Sequence, residues 1–161
     1  MRAKILNLLT SFFHKIASIF IHKLQRALNS ATIGARAIIV NDKNEILLVK
    51  HTYQKDWYIP GGGVKTGEPT QQALARELKE EVGLIVQSDP IFFSIYYNDY
   101  MGANDYPVIY IVKNFTLEKS NSPEIQCMKW FSLTNIPEDA SPGTKRRIKE
   151  YLGEIPQSQK W

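Results

Sequence analysis

The spacing of apolar residues changes character along this chain. Over the first 28 residues, MRAKILNLLTSFFHKIASIFIHKLQRAL, the spacing is helical. At about 100° per residue, Ile5, Leu6, Leu8, Leu9, Phe12, Phe13, Ile16, Ile19, Phe20 and Leu24 share one half of the wheel. Lys4, Asn7, Ser11, His14, Lys15, Ser18, His22 and Gln25 occupy the other half. Lysines and histidines break this stretch too often for a membrane span, which needs about 20 apolar residues. The broken apolar runs and the lack of a small-residue cleavage site also disfavour a signal peptide.

Beyond Ala31 the apolar runs become short, β-branched and aliphatic. ARAIIV (35–40) and EILLVK (45–50), separated by NDKN, predict a hairpin. HTYQKDWYIPGGGVKTGEP (51–69) is a Gly- and Pro-rich loop with a short strand near Trp57–Ile59. A helix follows Pro69 and stops at Gly83, burying a stripe of Leu74, Leu78 and Val82 at i, i+4 and i+8. PIFFSIYYN (90–98) and YPVIYIVKNF (106–115) read as strands around the turn DYMGAND. MKWFSL (128–133) is another strand, and TKRRIKEYL (144–152) a closing helix. Strands and helices mix without regular βαβ alternation, so the fold class is α+β, with mixed or antiparallel sheet between helices. The organisation is a basic amphipathic helical extension over 1–30 and one domain over 31–161.

Composition changes the picture in one respect. The chain has 161 residues and a formal charge of +4, yet its first acidic residue is Asp42. Arg2, Lys4, Lys15, Lys23, Arg26 and Arg36 precede it, leaving 14 basic against 16 acidic residues from 37 onward. The basic character therefore belongs to the leader, and the domain itself has no signature of specific nucleic-acid binding. Three fates fit residues 1–28: peripheral contact with an anionic membrane surface, packing on the domain or in a homodimer, or organelle targeting. A single cysteine, Cys127, forbids an internal disulfide and suits a reducing compartment. A cytoplasmic protein, membrane-associated if the leader binds lipid, is expected.

The candidate chemistry lies in RELKEEVG (76–83). On a helix Glu77, Glu80 and Glu81 crowd one face, each like-charge pair costing about 0.2–0.5 kcal/mol. Three carboxylates beside a Gly-rich loop with accessible carbonyls make an all-oxygen nest, which hard cations prefer. A solvated face neutralised by Arg76 and Lys79 would look the same over these residues alone. The wider spacing separates the two. Gly62, Glu68, Arg76, Glu77, Leu78, Glu80, Glu81, Gly83 and Leu84 fit G-x5-E-x7-R-E-U-x-E-E-x-G-U, with U aliphatic. A chance match is on the order of 10⁻⁸ per starting point.

This is the Nudix box, and the chain resembles the Nudix hydrolase superfamily. The box spans Gly62–Leu84 without departure, and the surrounding strand pattern extends the resemblance over about 35–152. The resemblance implies an α/β/α sandwich whose box forms loop, helix and loop. It implies a Mg²⁺- or Mn²⁺-dependent hydrolase that cleaves the diphosphate linkage of a nucleoside diphosphate derivative: a triphosphate, dinucleotide or nucleotide sugar. Glu77, Glu80 and Glu81 would then be metal-ligand carboxylates, with the Gly62 carbonyl a further ligand and Arg76 orienting Glu77. Either Glu77 or Glu81 would be the base. Glu68 and Gly83 would hold the box in shape. A further ligand or base would come from Glu124, six residues before Trp130, with Glu118 the runner-up. For substrate binding the candidates are Lys55 and Trp57 in HTYQKDWY, where His51 also lies near the expected mouth, and Tyr96 among the strand tyrosines. No motif names the nucleotide. A nucleotide-sensing or membrane-peripheral binding module with the same fold and little turnover is the alternative.

Overall fold

The computed structural model describes residues 31–99 and 104–161. The readings for the leader and for Tyr100 lie outside these residues. The described elements are β1 (Ala31–Ile39), β2 (Glu45–His51), β3 (Trp57–Tyr58), β4 (Gly61–Gly63), helix α1 (Thr70–Val82), β5 (Leu84–Val86), β6 (Ile91–Ile95), β7 (Asn104–Val112), β8 (Phe115–Leu117), β9 (Ile125–Ser132) and helix α2 (Pro142–Tyr151).

Three sheets form: β4-β1-β7-β6, β3-β2-β9 and the pair β5-β8. The first is mixed, because β1 runs parallel to β7 and antiparallel to β4. The second is antiparallel. Alternation along the strands sends side chains to two cores. Ala35, Ala37, Ile39, Leu47, Val49, Val108, Tyr110 and Val112 meet Ala73, Leu74, Leu78 and Val82 of α1. Their neighbours Ile38, Val40, Ile46, Leu48 and Ile109 join Ile148 of α2. The product is a helix, β-layer, helix sandwich, as expected from the sequence.

The hairpin expected at NDKN needs correction. The chain does turn tightly there, with Asn41 N–H donating to the Glu45 carbonyl at 3.0 Å. Past a single bridge between Val40 and Ile46, however, the two strands part into different sheets. Both are apolar on successive positions, so each must be covered on two faces, and each acquires its own partners on either edge. Three short strands were absent from the sequence reading: β4, within the stretch read as a Gly- and Pro-rich loop, and the pair β5 and β8. β5 begins immediately after Gly83, and β8 pairs with it.

Gly83 is required on two counts. Its φ is +67°, the left-handed region that a helix C-terminus uses. Its α-carbon also abuts the Glu118 carbonyl, where any Cβ would collide. The Glu118 N–H donates back to the Gly83 carbonyl at 2.8 Å, tying the helix end to the strand that leads to residues 119–124.

Candidate active site

Helix α1 starts straight after the glycine strand β4 and the turn 64–69, so its carboxylates fold back over Gly61–Gly63. Glu81 is almost fully buried, and one of its oxygens accepts the Gly61 N–H at 2.8 Å. Burial pushes its carboxyl up to about 7, with the negative charges of Glu77 and Glu124 adding to the rise. The Gly61 N–H and the Arg36 charge pull the other way without cancelling it. Glu77 lies against Gly62 so closely that a Cβ at that glycine would meet its carboxylate. Glu80 is more open, at 59% side-chain exposure.

Arg76 organises the cluster. Its Nε and Nη2 donate to the two oxygens of Glu68 at 2.8 Å each, a bidentate fork, and Nη2 also reaches the Gly63 carbonyl at 3.1 Å. Its Nη1 donates to Glu77 at 2.5 Å and stands 3.6 Å from Glu80. The Arg76 guanidinium, helped by the Lys65 N–H, holds the Glu68 carboxyl down at about 2, and Glu68 in turn raises the Arg76 pKa. Glu68 thereby ties the loop to the helix.

These groups open on a cleft of about 920 Å³ lined by Arg36, His51, Tyr53, Gln54, the Gly61–Gly63 strand, Lys65, Arg76, Glu77, Lys79, Glu80, Glu81 and residues 119–124. The structure brings Glu77, Glu80, Glu81, Gly62 and Glu124 to one cleft. Glu124 is delivered by the segment before β9, anchored where the Thr52 N–H meets its carbonyl at 2.9 Å. Glu118 does not line the cleft.

The expected substrate residues stand elsewhere. Tyr96 is 1% exposed in the α2 core, and its hydroxyl donates to Glu150 at 2.6 Å. Trp57 packs edge-on against Phe131 and beneath Lys50, and its carbonyl caps residues at the start of α2. Neither Trp57, Tyr96 nor Lys55 lines the cleft. Strand aromatics on a two-faced sheet went to its second core.

Three cleft residues stand there instead. His51 ends β2, 5% exposed, its ring stacked on Tyr53 at 5.1 Å. Burial and the neighbouring Arg36 lower the His51 pKa to about 4, so it is neutral near pH 7. Burial, reinforced by Glu124 and Glu81, raises the Tyr53 phenol to about 12. The third is Arg36, which the sequence placed with the leader's charge. The only sequence signal for it is position: a lone arginine in the apolar strand ARAIIV.

The donors are all oxygens of glutamates and backbone, and the buried Glu81 would be relieved by positive charge. That chemistry fits a hard divalent cation. Among the described residues no three acidic, histidine or cysteine side chains are already closed into a cage.

A sequence model of the NUDIX domain matches residues 31–152. An RNA pyrophosphohydrolase from Ruthia magnifica subsp. Calyptogena magnifica is 49% identical over 47 residues, covering 29% of this chain and 26% of that protein. The chain thus spans about a quarter of the length of the curated relatives it matches. Among solved structures, a MutT NUDIX hydrolase from Burkholderia pseudomallei superposes with a TM-score of 0.66 at 24% identity, covering 74% of this chain and 97% of that one. A NUDIX hydrolase from Nitrosomonas europaea gives 0.67 at 20%, covering 78% and 90%. At such identities the likeness of the solved structures is one of fold. The family assignment comes from the domain match, which covers most of the chain and contains the whole α1 cleft: this chain belongs to the Nudix family.

Proposed function

We propose that the protein is a divalent-metal-dependent pyrophosphohydrolase that cleaves the diphosphate linkage of a nucleoside diphosphate derivative by attack of water on phosphorus. One observation carries this reading: the Glu77 and Glu81 carboxylates converge on the Gly61–Gly62 backbone inside a single polar cleft. Glu77, Glu80 and Glu81, with the Gly62 carbonyl and Glu124, would hold Mg²⁺ or Mn²⁺. When bound, such a cation neutralises phosphate charge and acidifies coordinated water, a gain of several kcal/mol.

The chain's own residues supply the rest. Arg76 fixes the direction of Glu77 through its short contact. The Gly61 N–H holds one Glu81 oxygen, and the other carries no hydrogen bond among the described residues. Glu81 is the better placed of the two base candidates, since Glu77 is committed to the Arg76 guanidinium while Glu81 forms no ion pair among the described residues. Lys65, Lys79 and Lys119 at the rim draw in a polyanion.

Two relatives that match 47 residues of this chain are, by their names, RNA pyrophosphohydrolases, so 5′-triphosphate RNA belongs beside free nucleotides among the substrates to try. The lone cysteine suits a reducing cytoplasm, and no described helix is long and apolar enough to cross a membrane. The test is a panel of nucleoside triphosphates, dinucleotides, nucleotide sugars and 5′-triphosphate RNA with Mg²⁺ or Mn²⁺, reading released phosphate species. Turnover of at least one, lost in Glu81→Gln, is expected. Metal and nucleotide binding with no turnover of any would favour a sensing module instead.

A further inference from the structure

We infer that Arg36 is a substrate-phosphate-binding residue, gripping a phosphoryl group of the diphosphate chain from the β1 wall of the cleft. The inference rests on the hydrolase reading above and adds a residue from outside the box.

The backbone of Arg36 is pinned on both sides, paired with Gly61 of β4 and Ile109 of β7. Its Nη1 donates to the Ile59 carbonyl at 3.4 Å and the Gly61 carbonyl at 3.2 Å. These two carbonyls flank Pro60 and set the direction of the guanidinium. A guanidinium carries five N–H donors in a rigid fork. Among the described residues, Nε and Nη2 of Arg36 have no hydrogen-bond partner, and the residue lines the cleft.

Its charge is equally uncommitted. Arg36 sits close enough to Glu81 to pull that carboxyl down, yet forms no ion pair with it or with any described acid. The other cations of the cleft differ. All three guanidinium nitrogens of Arg76 are engaged with Glu68, Glu77 or the Gly63 carbonyl. Lys65, Lys79 and Lys119 are exposed on the rim, where an amine is mobile and well hydrated. Arg36 alone among them is half-buried, directed by backbone and still rich in donors. The neighbouring His51 adds no second charge near neutral pH. A half-buried, pre-oriented fork of this kind matches two oxygens of one phosphoryl group. With a cation at the carboxylates holding one phosphate and Arg36 the next, the cleft would select substrates with at least two linked phosphoryl groups.

The experiment uses the full chain, isothermal calorimetry with Mn²⁺ alone, and then methylenediphosphonate in the presence of Mn²⁺. In Arg36→Met, phosphonate binding should weaken at least tenfold and KM rise, with Mn²⁺ affinity and Tm close to the parent's. Arg36→Lys should recover part of the loss. Phosphonate affinity within twofold of the parent overturns the inference. So does a parallel loss of Mn²⁺ affinity, which would make Arg36 only a brace for the Gly61–Gly62 loop. If Arg36→Met does not fold, Arg36→Lys decides alone: a phosphonate affinity equal to the parent's rejects bidentate grip. A parent that takes up neither Mn²⁺ nor phosphonate sinks the hydrolase reading itself, and this inference with it.

Discussion

Helices α1 and α2 lie on opposite faces of one β-layer, and each carries arginine and glutamate toward it. Their charges end in opposite conditions. On the α2 side Arg147 is 0% exposed, bonded to Glu150 at 2.7 Å and to the Lys160 carbonyl at 3.2 Å, with its guanidinium 3.7 Å above the Tyr96 ring. Glu150 is satisfied in turn by Arg147, the Tyr96 hydroxyl and the Ser158 N–H. On the α1 side Arg76 is used up by Glu68 and Glu77, while Glu81 keeps one hydrogen bond and a proton affinity far above a free carboxyl. A network whose buried carboxylate is fully paired holds a core together, even with the Arg147 Nε left without a partner. An open one stores electrostatic cost that a ligand can relieve, and that difference marks the site.

Substitutions can break this contrast. The largest expected effect is Glu81→Gln, which should lower kcat by about 10²–10⁴-fold, the usual range for a lost acid–base group, without lowering Tm. Steady-state phosphate release and calorimetric melting check it together. Next comes Arg147→Met, which strands Glu150 in the α2 core. It should cost roughly 3–5 kcal/mol in denaturant unfolding and leave KM alone. If these two variants exchange phenotypes, the contrast is wrong.

The pH dependence of stability sharpens it. Glu81 titrates near 4.5 unfolded and near 7 folded, so its charged form is disfavoured by folding. The metal-free protein is therefore most stable, as far as this group is concerned, below about 4.5, and loses that contribution as pH rises through 7. Relative to Glu81→Gln, the parent should lose on the order of 3 kcal/mol between pH 5 and 8. Added Mg²⁺ should shrink that gap at pH 8, where ligation favours the carboxylate. Parallel curves for the two proteins would mean that Glu81 is not strained.

Tyr96→Phe should be a smaller loss of stability, about 1–3 kcal/mol for a hydroxyl removed from a charged partner, with kcat/KM unchanged. Lys55→Ala should do least, within about 0.5 kcal/mol and about twofold in KM, being exposed and outside the cleft.

What local pattern could show was the box helix, its buried stripe Leu74, Leu78 and Val82, its stop at Gly83, and three carboxylates on one face. Each of these depends on residues within a few turns of one another. The spacing G-x5-E-x7-R-E could likewise be read directly, since it fixes loop length against helix phase. Beyond that reach, patterns were ambiguous. Tyr96 lies in a run of strand aromatics and the cleft's own Tyr53 in a polar loop, and nothing near either says which core or cleft it faces. RELKEE and KRRIKE are both charged helical stretches in the sequence, yet Glu81 of the first faces a cleft while Arg147 and Glu150 of the second pair inside a core.

The sequence by itself determined that this chain carries an acidic, oxygen-rich helix following a glycine loop, on an α+β body. Periodicity and spacing are local quantities, written in consecutive residues. Only the tertiary structure decided that β1 and β2 part company, that Glu81 loses its water, and that Arg36 enters the cleft. Burial, desolvation and the approach of Arg36 to Gly61 arise from contacts between segments some 20 or more residues apart, which no periodicity encodes.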